Sequence, residues 1–471
     1  MHSPTDTSRR PSPEICMSSD NSAAPAGLKT RLCVMMFLEI FIWGAWLPLF
    51  FSYVPKLGFN DWQQQLIFNA FNISALLAIF FGNQFADRNF AAEKFLAFSQ
   101  FVGGAAMIGL SFIQKPEEGP PSFALFFGLM MLHTILYVPT VSITNAIAFA
   151  NLKNPAKEFG IVRMWGTIGW VAAAWPIGLI LLDWSKVPAI GNMGVGEWLG
   201  VALGKSRTGA DLMNATRYTF MAAGIASLLL AVFSFSLPHT PPKPSGERLA
   251  WLEAMKSLRH PFILVLFIVT FIDAAVHQMY FYWTAGFLEH GVRIPANWTQ
   301  PVMSIGQVAE ILTMAVLGYV LKTLGWRLTM VIGVLGHAAR FAVFAYYRQI
   351  GAVFPQPTPT ILVILLHGVC YAFFFATVYI FIDTFFPKDA RASAQGLFNM
   401  LILGVGPFVS NLASGWLGRF FALDVGPEDQ PIKVDYQSLF FVPTFAAIVA
   451  ALLLLLAFHP PRESKSNEVP A

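Results

Sequence analysis

Arg163, Thr167 and Trp170 follow one another at i, i+4 and i+7. On a helix they form one stripe carrying a fork of N–H donors, a hydroxyl and a flat aromatic face. Those groups suit a sugar held by hydrogen bonds and a ring held by stacking. Equally, Arg163 snorkels to a membrane interface and Trp170 packs. Gln307 and Glu310, with Ser304 before them, share another helical face. Their amide and carboxyl can donate and accept along a nucleobase edge or a pair of sugar hydroxyls. A carboxyl held in an apolar helix is costly as an anion, so Glu310 is also a candidate proton carrier. The plainer alternative is a Glu paired with a basic residue of another helix.

Asp273 and His277 are an i, i+4 pair that reads as a proton relay or as a self-satisfied structural couple. Gln278 and the aromatics after it make a cavity wall with one polar handle, whereas Tyr282 and Trp283 suit an interface belt. His367 and Tyr371 share a face that can meet substrate, and the run Phe373 to Phe375 suits packing. Glu39 and Arg340 are further charges in apolar segments, with no partner legible from sequence. Tyr137, Pro139, Thr140 and Asn145 add polar groups and a kink.

The surroundings of these groups are strongly apolar. Of 471 residues, 56% are hydrophobic, 15% aromatic and only 12% charged, with a mean hydropathy of +0.58. A soluble domain carries about twice that charged share. The composition therefore excludes a soluble enzyme and predicts an all-α polytopic membrane protein. No cluster of reactive groups suggests a membrane enzyme, and no soluble output domain suggests a sensor. The net charge of +4 is spread over short loops, which leaves nucleic-acid binding without support. Cys16, Cys33 and Cys370 include no CxxC pair, so neither a metal site nor a disulfide framework nor any cofactor is expected. Residues 1–31 lack an apolar core ending in a cleavage site, and are expected to be a disordered tail instead of a signal peptide.

A crossing helix needs about 20 mostly apolar residues. Twelve segments qualify, near 32–54, 64–84, 95–113, 122–148, 161–182, 216–237, 261–288, 300–321, 327–347, 360–385, 393–418 and 438–458. Of the 30 Lys and Arg residues, 18 fall on the side of the termini and 10 on the other, with Arg163 and Arg340 inside helices. This bias predicts cytoplasmic termini. The stretch 238–260 is Pro-rich and charged, and reads as a cytoplasmic linker between a six-helix bundle at 32–237 and another at 261–458. Residues 459–471 form a second cytoplasmic tail. Gly82, Asp87 and Arg88 resemble the G-x-x-x-D-[RK] gate loop of the major facilitator superfamily, whose two six-helix bundles hold substrate at the midplane between them.

Longer motifs sharpen the likeness: Phe41-Ile42-Trp43-Gly44-Ala45-Trp46-Leu47, Pro139-Thr140 followed by Asn145, and Arg163-Met164-Trp165-Gly166-Thr167-Ile168-Gly169. Leu237-Pro238-His239, Ser304 to Glu310, Arg340-Phe341 to Tyr346, and Arg391-Ala392-Ser393-Ala394-Gln395-Gly396 continue it. Over residues 32–458 the chain resembles the nucleoside:proton symporter family, the bacterial nucleoside permeases of that superfamily. The resemblance implies a monomer in the lipid bilayer of the bacterial cytoplasmic membrane, taking up a nucleoside with a proton by alternating access. A permease for another polar solute, such as a sugar, is the rival.

By position, the resemblance places substrate contacts at Arg163, Thr167, Trp170, Gln278, Phe281, Gln307, Glu310, His367 and Tyr371. There are departures. Phe281 stands where the family pattern has Asn, His367 where it has Tyr, Tyr371 where it has Phe, and Ala372 where it has a buried Asp. Glu39 replaces a Gln. A carboxylate that has moved leaves Glu310, Asp273 or Glu39 to carry the proton. The segment 183–215 is longer than the resemblance leads one to expect.

Overall fold

The computed structural model describes residues 27–78, 90–191, 193–242, 255–355, 357–386, 391–424 and 433–460. The gate-loop residues Gly82, Asp87 and Arg88 lie outside these ranges. So do most of the N-tail and the middle of the 238–260 linker.

The chain is overwhelmingly helical, as an apolar environment requires of a backbone that must satisfy its own N–H and C=O groups. The first helices are α1 (Leu28–Tyr53), α2 (Asp61–Leu77), α3 (Ala92–Ser111), α4 (Phe123–Asn151) and α5 (Pro155–Ile180). A short α6 (Val195–Leu203) precedes α7 (Gly209–Ser234), and α8 (Pro261–Gly286) follows the linker. Then come α9 (Ala296–Ala345), α10 (Thr358–Phe385), α11 (Ala394–Phe420) and α12 (Tyr436–Ala457). Where residues are described, the apolar segments expected from the sequence fall on helix over most of their length. Among the described residues, nine helical runs are long and apolar enough to cross a membrane.

The run α9 is two helices joined at Gly325, whose φ 71° and ψ 176° break it between the crossings expected at 300–321 and 327–347. Helix ends are set by local chemistry. Asn60 accepts from the Gln63 backbone N–H while the Gln63 side chain accepts from Asn60 N, a reciprocal cap that starts α2.

Buried apolar side chains gather in two large clusters. One is drawn from Leu32 to Leu237, the other from Ile263 to Phe458. Phe281 packs against both. Residues 31, 93, 151 and 236–240 meet at one end of the molecule, where Arg31 reaches the Ser236 carbonyl and Asn151 the Thr240 hydroxyl. Contacts between the two sets of helices cluster toward the opposite end. Lys56 pairs with Glu289 at 3.1 Å and Arg419 with Asp61 at 2.6 Å. Gln300 donates to the Gly44 carbonyl, and Asn411 to that of Phe68.

The long segment after α5 belongs to that same end. The Leu203 carbonyl, at the close of α6, accepts from Asn297 Nδ2 at 2.7 Å and from Trp298 Nε1 at 2.9 Å. The segment thus straps the first helix set to the start of α9. Asp183, on the strap, is held near pKa 2 by Lys186 and Ser185, so its charge is constant at working pH.

Helix α9 and helix α10 touch backbone to backbone at Gly368, where an added Cβ would run into Ala309 and Glu310. Gly368→Ala is expected to force them apart, costing about 1–3 kcal/mol or more. The check is a lowered Tm in detergent.

Candidate functional site

Helix α5 carries Arg163 one turn before Gly166. A Cβ on Gly166 would stand 2.7 Å from Arg163 Nη1 and 2.9 Å from Ile40. The glycine therefore leaves the space over which the guanidinium folds toward α1. From there Arg163 is in electrostatic range of Glu39 on α1, Glu310 on α9, and Tyr371 and Tyr379 on α10. Arg163, Glu310, Tyr371 and Tyr379 are all part-buried. The field of a cation of the first helix set thus reaches a carboxyl and two phenols of the second.

Aromatic rings form one side of this region. Trp170 stands edge-on to Trp43 at 5.7 Å and to Phe281 at 6.0 Å, with Trp43 stacked on Phe71. Thr167 lies part-buried on the same helix, one turn from Arg163. Phe281 in turn meets the His367 ring at 5.8 Å. Gln278 differs from the free polar handle expected of it. It donates to Asn411 Oδ1 at 2.9 Å, and Asn411 is itself bonded across to Phe68. Its reach is taken up by the contact between the helix sets.

The second helix set holds a chain of polar contacts that sequence did not reveal. Arg340 is fully buried; Nη1 lies 3.1 Å from His367 Nδ1, and Nη2 lies 2.9 Å from His337 Nδ1. Its guanidinium also sits over the Tyr280 ring at 4.0 Å. A guanidinium has no lone pair to offer, so both Nδ1 atoms must accept and both imidazoles carry hydrogen on Nε2. The His367 Nε2–H then donates to the Gln307 amide 3.1 Å away, which must answer with its oxygen. The Gln307 NH2 is left as the free end of a side chain only 6% exposed.

At the other end of the chain, His337 Nε2 faces Asp273 Oδ2 at 3.6 Å. The expected Asp273–His277 couple is thereby corrected: Asp273 turns across to α9, and His277 Nδ1 is buried without a partner. Although i and i+4 share a face, packing turns Asp273 to an imidazole on the neighbouring helix, within electrostatic range of Arg340. The His277 ring packs 5.1 Å from His367 and 5.2 Å from Phe375. Ala372, where the family resemblance called for Asp, is fully buried beside Leu317 and Phe373.

Glu39, unpaired in the sequence reading, is fully buried and accepts from Thr140 at 2.7 Å and from Gln100 at 2.9 Å. Gln100 was missed by sequence reasoning, though an amide inside an apolar helix was signal enough. His337 was missed as well. It stands three residues before Arg340, on the same face. Among the described residues, no group of three His, Cys, Asp or Glu side chains is placed to hold a metal ion. A separate cavity of about 230 Å³ opens beside Lys56 and Glu289, at the end remote from the termini.

Comparison with known proteins follows the same lines. The sequence profile of the family described as "Nucleoside H+ symporter" matches residues 26–463. The Escherichia coli (strain K12) protein YegT is 31% identical over 449 residues, 94% of this chain and 95% of that one. The xanthosine permease of Escherichia coli (strain K12) is 25% identical over 93% of this chain and 98% of its own. The crystal structure of the nucleoside transporter NupG superimposes with a TM-score of 0.72 at 21% identity, covering 92% of this chain and 100% of that one. That likeness is one of fold.

Proposed function

The chain belongs to the nucleoside H+ symporter family, and from that premise we propose how its own residues carry a nucleoside with a proton across a membrane. The protein is a multi-pass nucleoside transporter. Twelve crossings in two six-helix halves, 32–237 and 261–458, fit the two apolar clusters and the break at Gly325. The bias of Lys and Arg puts both termini in the cytoplasm of a bacterial cell. The halves meet at the end remote from the termini, so this conformation is closed at the outside.

The observation that carries the reading is Arg163 of one half in range of Glu310 and Tyr371 of the other, beside the ring wall of Trp170 and Phe281. A nucleoside needs these things together. Its ribose hydroxyls call for a charged fork and a carboxyl, and its base for a flat face and an edge donor. Arg163 and Thr167 hold the sugar against Glu310. Trp170 and Phe281 form the wall against which the base lies, while Tyr371 closes the site from α10.

Gln307 supplies the edge donor. With its oxygen committed to His367, its NH2 is the group left to meet a carbonyl or ring nitrogen of the base. His367 acts through Gln307 instead of touching the substrate itself, which revises its expected role. Alternating access follows when the contacts at the outer end break and those around the site close.

The test is competition. Labelled uridine uptake in cells should be displaced by adenosine and xanthosine and left untouched by glucose or ribose. Displacement by the sugars would favour the rival permease. Gln307→Ala should raise the Km for uridine by about tenfold, the worth of one buried hydrogen-bond donor. Glu310→Gln should abolish accumulation, whereas wild-type accumulation in that variant would remove the carboxyl from the mechanism.

A further inference from the structure

The site above leaves one buried carboxyl without a task. Glu39 lies on α1 behind Arg163, and its oxygens are turned toward α3 and α4. A carboxyl kept in a membrane helix at 0% exposure needs a reason. Neutral donors hold it: Gln100 Nε2 gives to Oε2 at 2.9 Å, and the Thr140 hydroxyl to Oε1 at 2.7 Å.

We infer that Glu39 is the group on which the co-transported proton rides, and that Thr140 lets the carboxyl be fully bonded with or without it. The inference rests on the proton-coupled reading above.

The geometry serves both states. With Glu39 ionised, the Thr140 hydroxyl donates to Oε1. When a proton arrives on Oε1, the new O–H donates across the same 2.7 Å to Thr140 Oγ1. The threonine hydrogen then swings to the Tyr137 carbonyl, 2.6 Å away. Gln100 Nε2 keeps its place throughout, 2.9 Å from Oε2 and 3.1 Å from Thr140 Oγ1. Ser227 bonds the other end of that amide. Only hydrogens move, so the carboxyl changes charge without leaving an orphaned polar atom.

The neighbours make this charge matter to the substrate. Helix α5 turns Arg163 toward Glu39. Helix α4 brings Tyr137, whose hydroxyl donates to the Glu39 backbone oxygen at 2.6 Å, with His133 stacked on its ring at 5.3 Å. Helices α3 and α7 offer the neutral Gln100 and Ser227. Helix α8 meets α1 through Tyr282, packed on Phe51 near the outer end, and α9 does so through Gln300.

Arg163 therefore acts at range on both Glu39 of its own half and Glu310 of the other. With both carboxyls ionised, the trio carries one excess negative charge, and one proton cancels it. Protonating Glu39 hands the guanidinium to Glu310 and the ribose. Proton and nucleoside then favour each other's binding, as reciprocal coupling demands.

Calorimetric titration of the purified protein with uridine, over a pH series and in buffers of different ionisation enthalpy, tests this. The wild type should lose affinity by about tenfold per pH unit as Glu39 ionises, with about one proton taken up per uridine. Glu39→Gln should still bind uridine, with a flat pH profile and no proton uptake. A Glu39→Gln protein that keeps the wild-type slope overturns the assignment, as does a Glu310→Gln protein that binds uridine without proton uptake. Should Glu39→Gln not fold, Thr140→Val keeps the carboxyl and removes its switch; a displaced profile supports the assignment and an unchanged one overturns it. A wild type that binds uridine with no pH dependence refutes this assignment alone, whereas one that binds no nucleoside at any pH refutes the proposed function as well.

Discussion

Arg163→Ala should abolish saturable nucleoside uptake while leaving the protein folded and in the membrane. The guanidinium is in electrostatic range of both Glu39 and Glu310. Removing it takes away the fork that holds the ribose and leaves two carboxyls without their shared cation. Truncating one member of a buried charged set costs about 2–5 kcal/mol. That is a loss of at least about 30-fold in affinity. Arg163→Lys is the informative partner variant. It restores the charge but not the planar fork, and should recover part of the binding with little discrimination among nucleosides. Uridine binding by both variants, normalised to purified protein, reads the difference. Unaltered affinity in Arg163→Ala would place the cation outside the site.

The second large effect falls on stability. Arg340 is wholly buried and is reached by His337, His367 and the Tyr280 ring, with Asp273 beyond His337 as its anion. Arg340→Met should cost about 3–5 kcal/mol, because it strands a buried carboxyl and two imidazole lone pairs. Most of it would be lost as misfolded material during expression. The double variant Arg340→Met with Asp273→Leu removes both charges and should regain much of that loss. Tm values of the wild type, both single variants and the double variant give the coupling directly. If Arg340→Met alone were harmless, the chain of contacts would not be holding the second half together. The double variant should still bind uridine weakly, since Gln307 loses its fixed orientation when His367 loses Arg340.

The architecture was readable because membranes are a simple solvent. Runs such as 261–288 and 438–458 have no competing explanation, and each became a helix within a few residues of its expected ends. The break at Gly325 was legible as a short polar interruption, Lys322 to Arg327. Its detail was not, since a positive φ is decided by the fold of the chain there. The site divides in the same way. Arg163, Gln307 and Glu310 announced themselves because charge and bidentate amides are expensive in lipid.

What sequence could not supply was partnership between helices. Asp273 looked satisfied by His277 four residues on, yet its contact is His337 on another helix. Gln278 looked free for substrate and instead bonds to Asn411. Glu39 looked like an isolated substitution, and its network draws on three further helices through Thr140, Gln100 and Ser227. Side-chain type fixes what a group can bond to. Only packing decides which neighbour it finds.

Uptake of labelled uridine by proteoliposomes, with the outside made acidic relative to the lumen, bears most directly on the proposal that a nucleoside and a proton cross together through this site. Uridine should accumulate above its external concentration, collapse to equilibrium when a protonophore is added, and fail to accumulate in Arg163→Ala vesicles. Equal uptake with and without the proton gradient, or undiminished uptake by Arg163→Ala, would contradict it.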